Sequence, residues 1–219
     1  MRELQAVLFD MDGTLLDSER LWDISVADLA QWRGGVLSAQ TRESMVGTSL
    51  VDAVGIIHAE IGSRADERES AEYLLSRTAE LFRTDLIINP GARELLDEVH
   101  AAQLPTALVT STSRRLTEIA LGVLGRHYFD HVVCGDEVSR TKPAPEPYLT
   151  ACKRLGVAAS ECVAIEDSIA GTTSAAVAGC AVLVVGGQGP QQQHARTHWR
   201  PSLVNVTVET LRSLVGADL

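Results

Sequence analysis

Two aspartates, Asp10 and Asp12, stand two residues apart directly after an apolar run, Ala6-Val7-Leu8-Phe9, and Gly13 and Thr14 follow at once. Carboxylates this close repel each other unless a cation or a shared proton intervenes. The pair suits a carboxylate nucleophile beside a carboxylic acid, with a hard divalent metal between them and a substrate. The plainer alternative is an acidic turn after a buried strand. Further polar groups follow later apolar runs. Ser111 succeeds Pro105–Thr110, and the amides of a strand-to-helix turn there can hold phosphate oxygens. Thr110 is the alternative hydroxyl, because the register of Thr110-Ser111-Thr112-Ser113 is ambiguous. Lys142 lies in a proline-stiffened stretch, Thr141-Lys142-Pro143-Ala144-Pro145-Glu146-Pro147, and offers a flexible cation. Glu166 and Asp167 succeed Cys162–Ile165 and add hard oxygens, which with Asp10 suit Mg²⁺. Taken singly, Ser111 is a helix cap, Lys142 a solvated lysine and Glu166-Asp167 a polar turn. Taken together they supply what in-line phosphoryl transfer needs. Asp10 is then the nucleophile, and Asp12 the acid that protonates the leaving oxygen and later takes a proton from water.

The elements that must position these groups follow from the same runs. Ala6–Phe9, Cys162–Ile165 and Ala181–Val185 are continuously apolar, as strands covered on both faces are, and Pro105–Thr110 and His131–Cys134 are similar runs that carry a threonine pair and a histidine. Helical patterns at Gly91–Ala102, Arg114–Leu124, Pro147–Leu155 and Ile169–Ala178 alternate with them. That alternation predicts an α/β fold, with a parallel sheet between helical layers and right-handed crossovers. Open sheets of this kind place ligands outside the carboxyl ends of their strands, where the polar groups fall. Leu16–Leu86 breaks the rhythm with helical patterns and no convincing strand. Trp22, Val26 and Leu29 share one helical face, and Ala71, Leu74, Leu75 and Leu81 recur at helical spacing. The expected organisation is a catalytic core of residues 1–15 and 87–219, interrupted by an all-helical cap at 16–86, with hinges at 13–17 and 86–90. Asn89-Pro90-Gly91 marks the return to the core. A single mixed domain with a helical end is the alternative. Gly186–Ser202 shows no period and is expected to be a surface loop. His194 and His198 lie in it at i, i+4 spacing, with no third metal ligand nearby.

A net charge of −10 over 219 residues disfavours nucleic acid and anionic membrane as partners. A small anionic substrate stays compatible, because a bound metal and one lysine invert the local field. Only 4% of the residues are aromatic, so the core relies on Val, Leu, Ile and Ala. Cys134, Cys152, Cys162 and Cys180 show neither CxxC spacing nor a zinc pattern and read as small buried hydrophobes in a reducing compartment. The first strand begins almost at once, with no targeting pattern before it, and the expected location is cytoplasmic. Monomer and dimer both remain open.

The motifs resemble those of haloacid-dehalogenase-superfamily hydrolases with a helical cap, in the branch of the β-phosphoglucomutases and phosphoglycolate phosphatases. They are Asp10-Met11-Asp12-Gly13-Thr14, continued by Leu15-Leu16-Asp17-Ser18-Glu19; Leu108-Val109-Thr110-Ser111-Thr112-Ser113; Lys142 to Tyr148; and Ile165-Glu166-Asp167-Ser168-Ile169-Ala170-Gly171. The resemblance covers nearly the whole chain. It implies a Rossmann-like three-layer core, Mg²⁺ dependence and an aspartyl-phosphate intermediate. It makes Asp10 the nucleophile and a metal ligand, and Asp12 the acid/base and a ligand through its backbone carbonyl. It further makes Ser111 the phosphate hydroxyl, Lys142 the neutralising cation, Asp167 a metal ligand and Glu166 a nearby or water-mediated one. Gly13, Thr14 and Thr112 are candidate substrate-binding positions, joined from the cap by Trp22, Gly47 and Thr48.

Four chemistries share such a scaffold. A halide leaving group needs no general acid, so Asp12 argues against a dehalogenase. A phosphonate hydrolase needs a cap lysine, and Leu16–Leu86 contains none. In the β-phosphoglucomutases a histidine stands where Trp22 stands here, and their Gly-Val-Ser-Arg-type motif is missing from Val46-Gly47-Thr48-Ser49-Leu50. What remains is a phosphatase for a small phosphomonoester, a phosphoric monoester hydrolase. A sugar-phosphate mutase is the alternative, and a non-catalytic phosphate- or metal-binding regulator is the alternative of another class. The cap is expected to close over the substrate, exclude water and set specificity.

Overall fold

Ala6, Val7, Leu8 and Phe9 form β1 (Ala6–Phe9), and all four are fully buried, as an apolar run covered on both faces requires. The computed structural model describes residues 3–45, 50–187 and 195–216. Gly47, Thr48 and His194 lie outside the described residues.

The chain folds as two compact units, one of residues 1–16 and 88–219, the other of residues 17–87. Short strands β2 (Leu16–Asp17) and β3 (Ile87–Ile88) pair where the chain passes from one unit to the other and back. The second unit consists of α1 (Glu19–Trp32), α2 (Ala39–Ser44), α3 (Leu50–Ile61) and α4 (Glu67–Asp85). Its core gathers Val26, Leu29, Val54, Ile57 and Leu74, with Trp22 packed against them. The Trp22 ring meets Phe82 edge-on at 6.2 Å. Asp66 opens α4 by accepting a hydrogen bond from the Arg68 amide at 2.8 Å.

The first unit continues with α5 (Ala92–Ala101), β4 (Thr106–Val109), α6 (Arg114–Leu124), β5 (His131–Val133), α7 (Glu146–Leu155), β6 (Cys162–Glu166), α8 (Ile169–Ala178), β7 (Ala181–Val185), β8 (Thr197–Arg200) and α9 (Val208–Gly216). Its six strands form one parallel sheet in the order β5-β4-β1-β6-β7-β8. Alternate residues of the strands (Ala6, Leu8, Ala107, Val109, Ala164, Val182) pack with Tyr148 and Cys152 of α7 and Ala175 of α8. On the other side α9 lies against β6 and β7. The result is a Rossmann-like α/β architecture.

One expectation is overturned. Gly186–Ser202 is not wholly a loop, because Thr197–Arg200 adds a sixth strand beside β7. Its sequence, Thr-His-Trp-Arg, is only half buried at the sheet edge, so it lacks the continuous apolar signature of the inner strands. Trp199 packs its ring on the core and donates its indole N–H to the Gly186 carbonyl at 2.8 Å.

Candidate active site

Strand register brings the chemistry together. Phe9 pairs with Leu108 on one side and Ile165 on the other, so the next residues of β1, β4 and β6 emerge side by side. The Asp10 amide extends the ladder by donating to the Ile165 carbonyl at 3.0 Å. This is where the strand order reverses around β1, the place where open α/β sheets bind ligands.

Lys142 sits at the centre. Its ammonium donates to Asp10 Oδ1 at 2.5 Å, to Glu166 Oε1 at 2.6 Å and to the Val109 carbonyl at 2.9 Å. The three donors of an ammonium are thereby matched to three oxygens. Its side chain is 5% exposed and that of Glu166 is 0% exposed, so these are charges in a low-dielectric setting. Glu166 also accepts from the Tyr148 hydroxyl at 2.5 Å and the Ser168 hydroxyl at 3.3 Å. Burial pulls the Lys142 ammonium down, but the charges of Asp10 and Glu166 more than offset it and hold it above the ordinary lysine range. Burial first, then the Glu166 charge, push the Asp10 carboxyl up to about 7 against the pull of Lys142. Burial and the same Glu166 charge raise the Tyr148 phenol, which keeps it a donor.

Asp12 is held from another side. The Thr110 and Thr112 hydroxyls donate to its Oδ2 at 3.0 and 2.8 Å. Asp167 accepts from the Thr14 hydroxyl at 3.4 Å. Gly13 has φ +73°, and a Cβ there would lie 1.9 Å from Asp167 Oδ2, so only glycine suits both the backbone and the space. Ser111 is exposed at the end of β4, its carbonyl against Gly135, where a Cβ would approach to 2.0 Å. Asp10, Asp12, Gly13, Thr14, Ser111, Thr112, Lys142, Glu166 and Asp167 thus lie in the first unit at or just beyond the carboxyl ends of β1, β4 and β6, with Lys142 reaching in from the loop before α7. Trp22 lies in the second unit.

The donor set fits a hard dication. One carboxylate oxygen each of Asp10, Glu166 and Asp167 lie within 4.8 Å of one another. Such a cluster is all oxygen, the choice of Mg²⁺ over softer metals.

Three contributors were not legible as such in the sequence. Tyr148 stands inside the third motif, where a polar aromatic on an otherwise apolar helix face was the available signal. Thr110, the alternative phosphate hydroxyl by sequence, is 1% exposed and donates to Asp12. Gly171 is a third case. A Cβ there would lie 1.9 Å from Glu166 Oε2, so the first turn of α8 closes directly on that carboxylate. Gly→Ala inside a helix ordinarily stabilises by about 1 kcal/mol. Gly171→Ala is expected to do the opposite, destabilising by about 1–3 kcal/mol through overpacking. Activity should fall with it, and urea unfolding beside initial rates checks both.

Residues 4–179 match the family model of the haloacid dehalogenase-like hydrolases. A "probable pseudouridine-5'-phosphatase" of Drosophila melanogaster is 33% identical over 199 residues, covering 84% of this chain and 83% of that protein. A "phosphorylated carbohydrates phosphatase" of Thermotoga maritima is 33% identical over 181 residues, covering 80% and 82%. In fold, a crystal structure of a HAD hydrolase from Entamoeba histolytica superposes with a TM-score of 0.86 at 24% identity, over 98% of this chain and all of that one. The sheet order, the lysine shared by two acids and the match over most of the sequence agree, and the chain belongs to the haloacid dehalogenase-like hydrolases.

Proposed function

We propose that this hydrolase is a Mg²⁺-dependent phosphatase that cleaves a small phosphomonoester by way of a phosphoryl group carried on Asp10. The observation that supports it is the Asp10 carboxylate, fixed at a strand end by Lys142 at 2.5 Å, with Asp12 two residues on and held by two threonine hydroxyls. Asp10 attacks phosphorus. Lys142, beside the attacking Asp10 oxygen, would offset the negative charge that the phosphoryl group brings to it. Asp12 gives its proton to the leaving alkoxide and then takes one from the attacking water, so the two half-reactions use one group in two states. Thr110 and Thr112 aim that carboxyl, and the exposed Ser111 hydroxyl is the proposed donor to phosphate oxygens. Asp10 and Asp167 would hold Mg²⁺, with the Asp12 carbonyl as a further ligand and Glu166 close by. Bound there, the ion adds Lewis-acid stabilisation of the phosphoryl oxygens.

The named relatives act on phosphorylated nucleosides and carbohydrates, so a phosphorylated sugar or similar metabolite is the substrate class proposed here. In the second unit Trp22, Gly47 and Thr48 are the proposed specificity positions. No helix among the described residues is long and apolar enough to cross a membrane. Inorganic phosphate should be released from p-nitrophenyl phosphate with Mg²⁺ and not after chelation. A chain that releases none under either condition, on that ester or on a panel of sugar phosphates, is not a phosphatase.

A further inference from the structure

The turn that follows Asp12 satisfies only part of its own backbone. The Leu15 and Leu16 amides both donate to the Met11 carbonyl, at 3.0 and 3.1 Å, and the Gly13 amide donates to the Leu16 carbonyl at 2.8 Å. Three consecutive carbonyls, of Gly13, Thr14 and Leu15, point elsewhere. All three accept from one residue, Asn89. Its side-chain amide donates to the Gly13 carbonyl at 2.8 Å and the Thr14 carbonyl at 3.0 Å, and its backbone amide donates to the Leu15 carbonyl at 2.9 Å. Only the NH₂ end of the carboxamide can face two carbonyls, and it carries two hydrogens for two acceptors.

We infer that Asn89 is a positioning residue for the metal site, acting through the Gly13-Thr14 turn on Asp167. Peptide units are planar and trans, so fixing the Gly13 and Thr14 carbonyls fixes the rotation of both peptide planes. Those planes carry the two groups that meet Asp167. Gly13 approaches so closely that a Cβ would lie 1.9 Å from Asp167 Oδ2, and the Thr14 hydroxyl donates to Asp167 Oδ1 at 3.4 Å. A rotated turn would drive into the carboxylate or leave its hydroxyl partner behind. Asp167 would then lose its place within 4.8 Å of Asp10 and Glu166. Carboxamide is the chemistry the place selects, because leucine offers no donor and aspartate would face the carbonyls with acceptors.

This inference rests on the proposed Mg²⁺ site, so its test reads metal binding directly. Mn²⁺ serves as the probe, with free ion counted by electron paramagnetic resonance in titrations of metal-free protein. Asn89→Leu removes both donors at similar volume. Asn89→Ala is the second variant; Asn89 is only half buried, so truncation leaves no closed void. Thermal melting accompanies each. The expected result is Mn²⁺ binding weakened about 10-fold or more in either variant, with kcat at saturating Mg²⁺ reduced less than the activation constant for Mg²⁺ rises. Wild-type Mn²⁺ affinity in a folded variant overturns the positioning role while leaving the phosphatase reading intact, even if melting falls. A wild-type protein that binds no Mn²⁺ overturns the metal site and this inference with it.

Discussion

Asp10→Asn abolishes turnover, by at least about four orders of magnitude in kcat, and leaves the fold in place. An amide oxygen has almost the shape of the carboxylate oxygen but is a far weaker nucleophile. The fold survives because the substitution removes a charge that the site resists. Asp10 is pushed up to about 7 by burial and by Glu166, so its ionised form is disfavoured there. Lys142 meanwhile keeps Glu166 at 2.6 Å and the Val109 carbonyl at 2.9 Å. The melting temperature of the metal-free variant at pH 8 should therefore equal or exceed that of the wild type. Phosphate release beside a thermal melt checks both halves, and turnover at wild-type rates would falsify the assignment of the nucleophile.

Lys142→Met has the opposite balance. The side chain keeps its length and loses its charge, leaving Asp10 and Glu166 facing each other, 7% and 0% exposed, without their common cation. Removing one partner of a buried ion pair costs about 3–5 kcal/mol, because the remaining charge is stranded. Loss of one preorganised donor to the reacting oxygens should lower kcat by about 10²–10³-fold. Millimolar Mg²⁺ should raise the melting temperature of this variant more than that of the wild type, since the added cation relieves the carboxylates. Lys142→Arg is not expected to rescue, because a planar fork does not match three oxygens arranged around a point. Equal melting temperatures of variant and wild type at neutral pH would show that the lysine is not a structural counter-ion.

Much of this was legible in the chain because buried parallel strands are written as unbroken apolar runs. Ala6–Phe9 and Ala181–Val185 stand in the structure with the bounds read from the sequence, and the helices Arg114–Leu124 and Ile169–Ala178 do likewise. β8 was not legible, since an edge strand buried on one side carries threonine, histidine and arginine without penalty. The polar residues that end strands were visible as candidates because topology alone sends them to one place. Their supports were not. Asn89 acts on carbonyls about 75 positions away, and main-chain acceptors leave no mark on side-chain identity. Tyr148 reaches Glu166 because α7 and β6 share one core, a pairing that no local pattern encodes.

The sharing of Lys142 between two acids has a consequence over time. On the proposed route, esterification of Asp10 ties up its attacking oxygen and cancels that group's charge for as long as the adduct lasts. Glu166 takes no part in bond making. The ammonium thus keeps one fixed acidic neighbour in Glu166 while the negative charge on its other side passes from the Asp10 carboxylate to the phosphoryl oxygens.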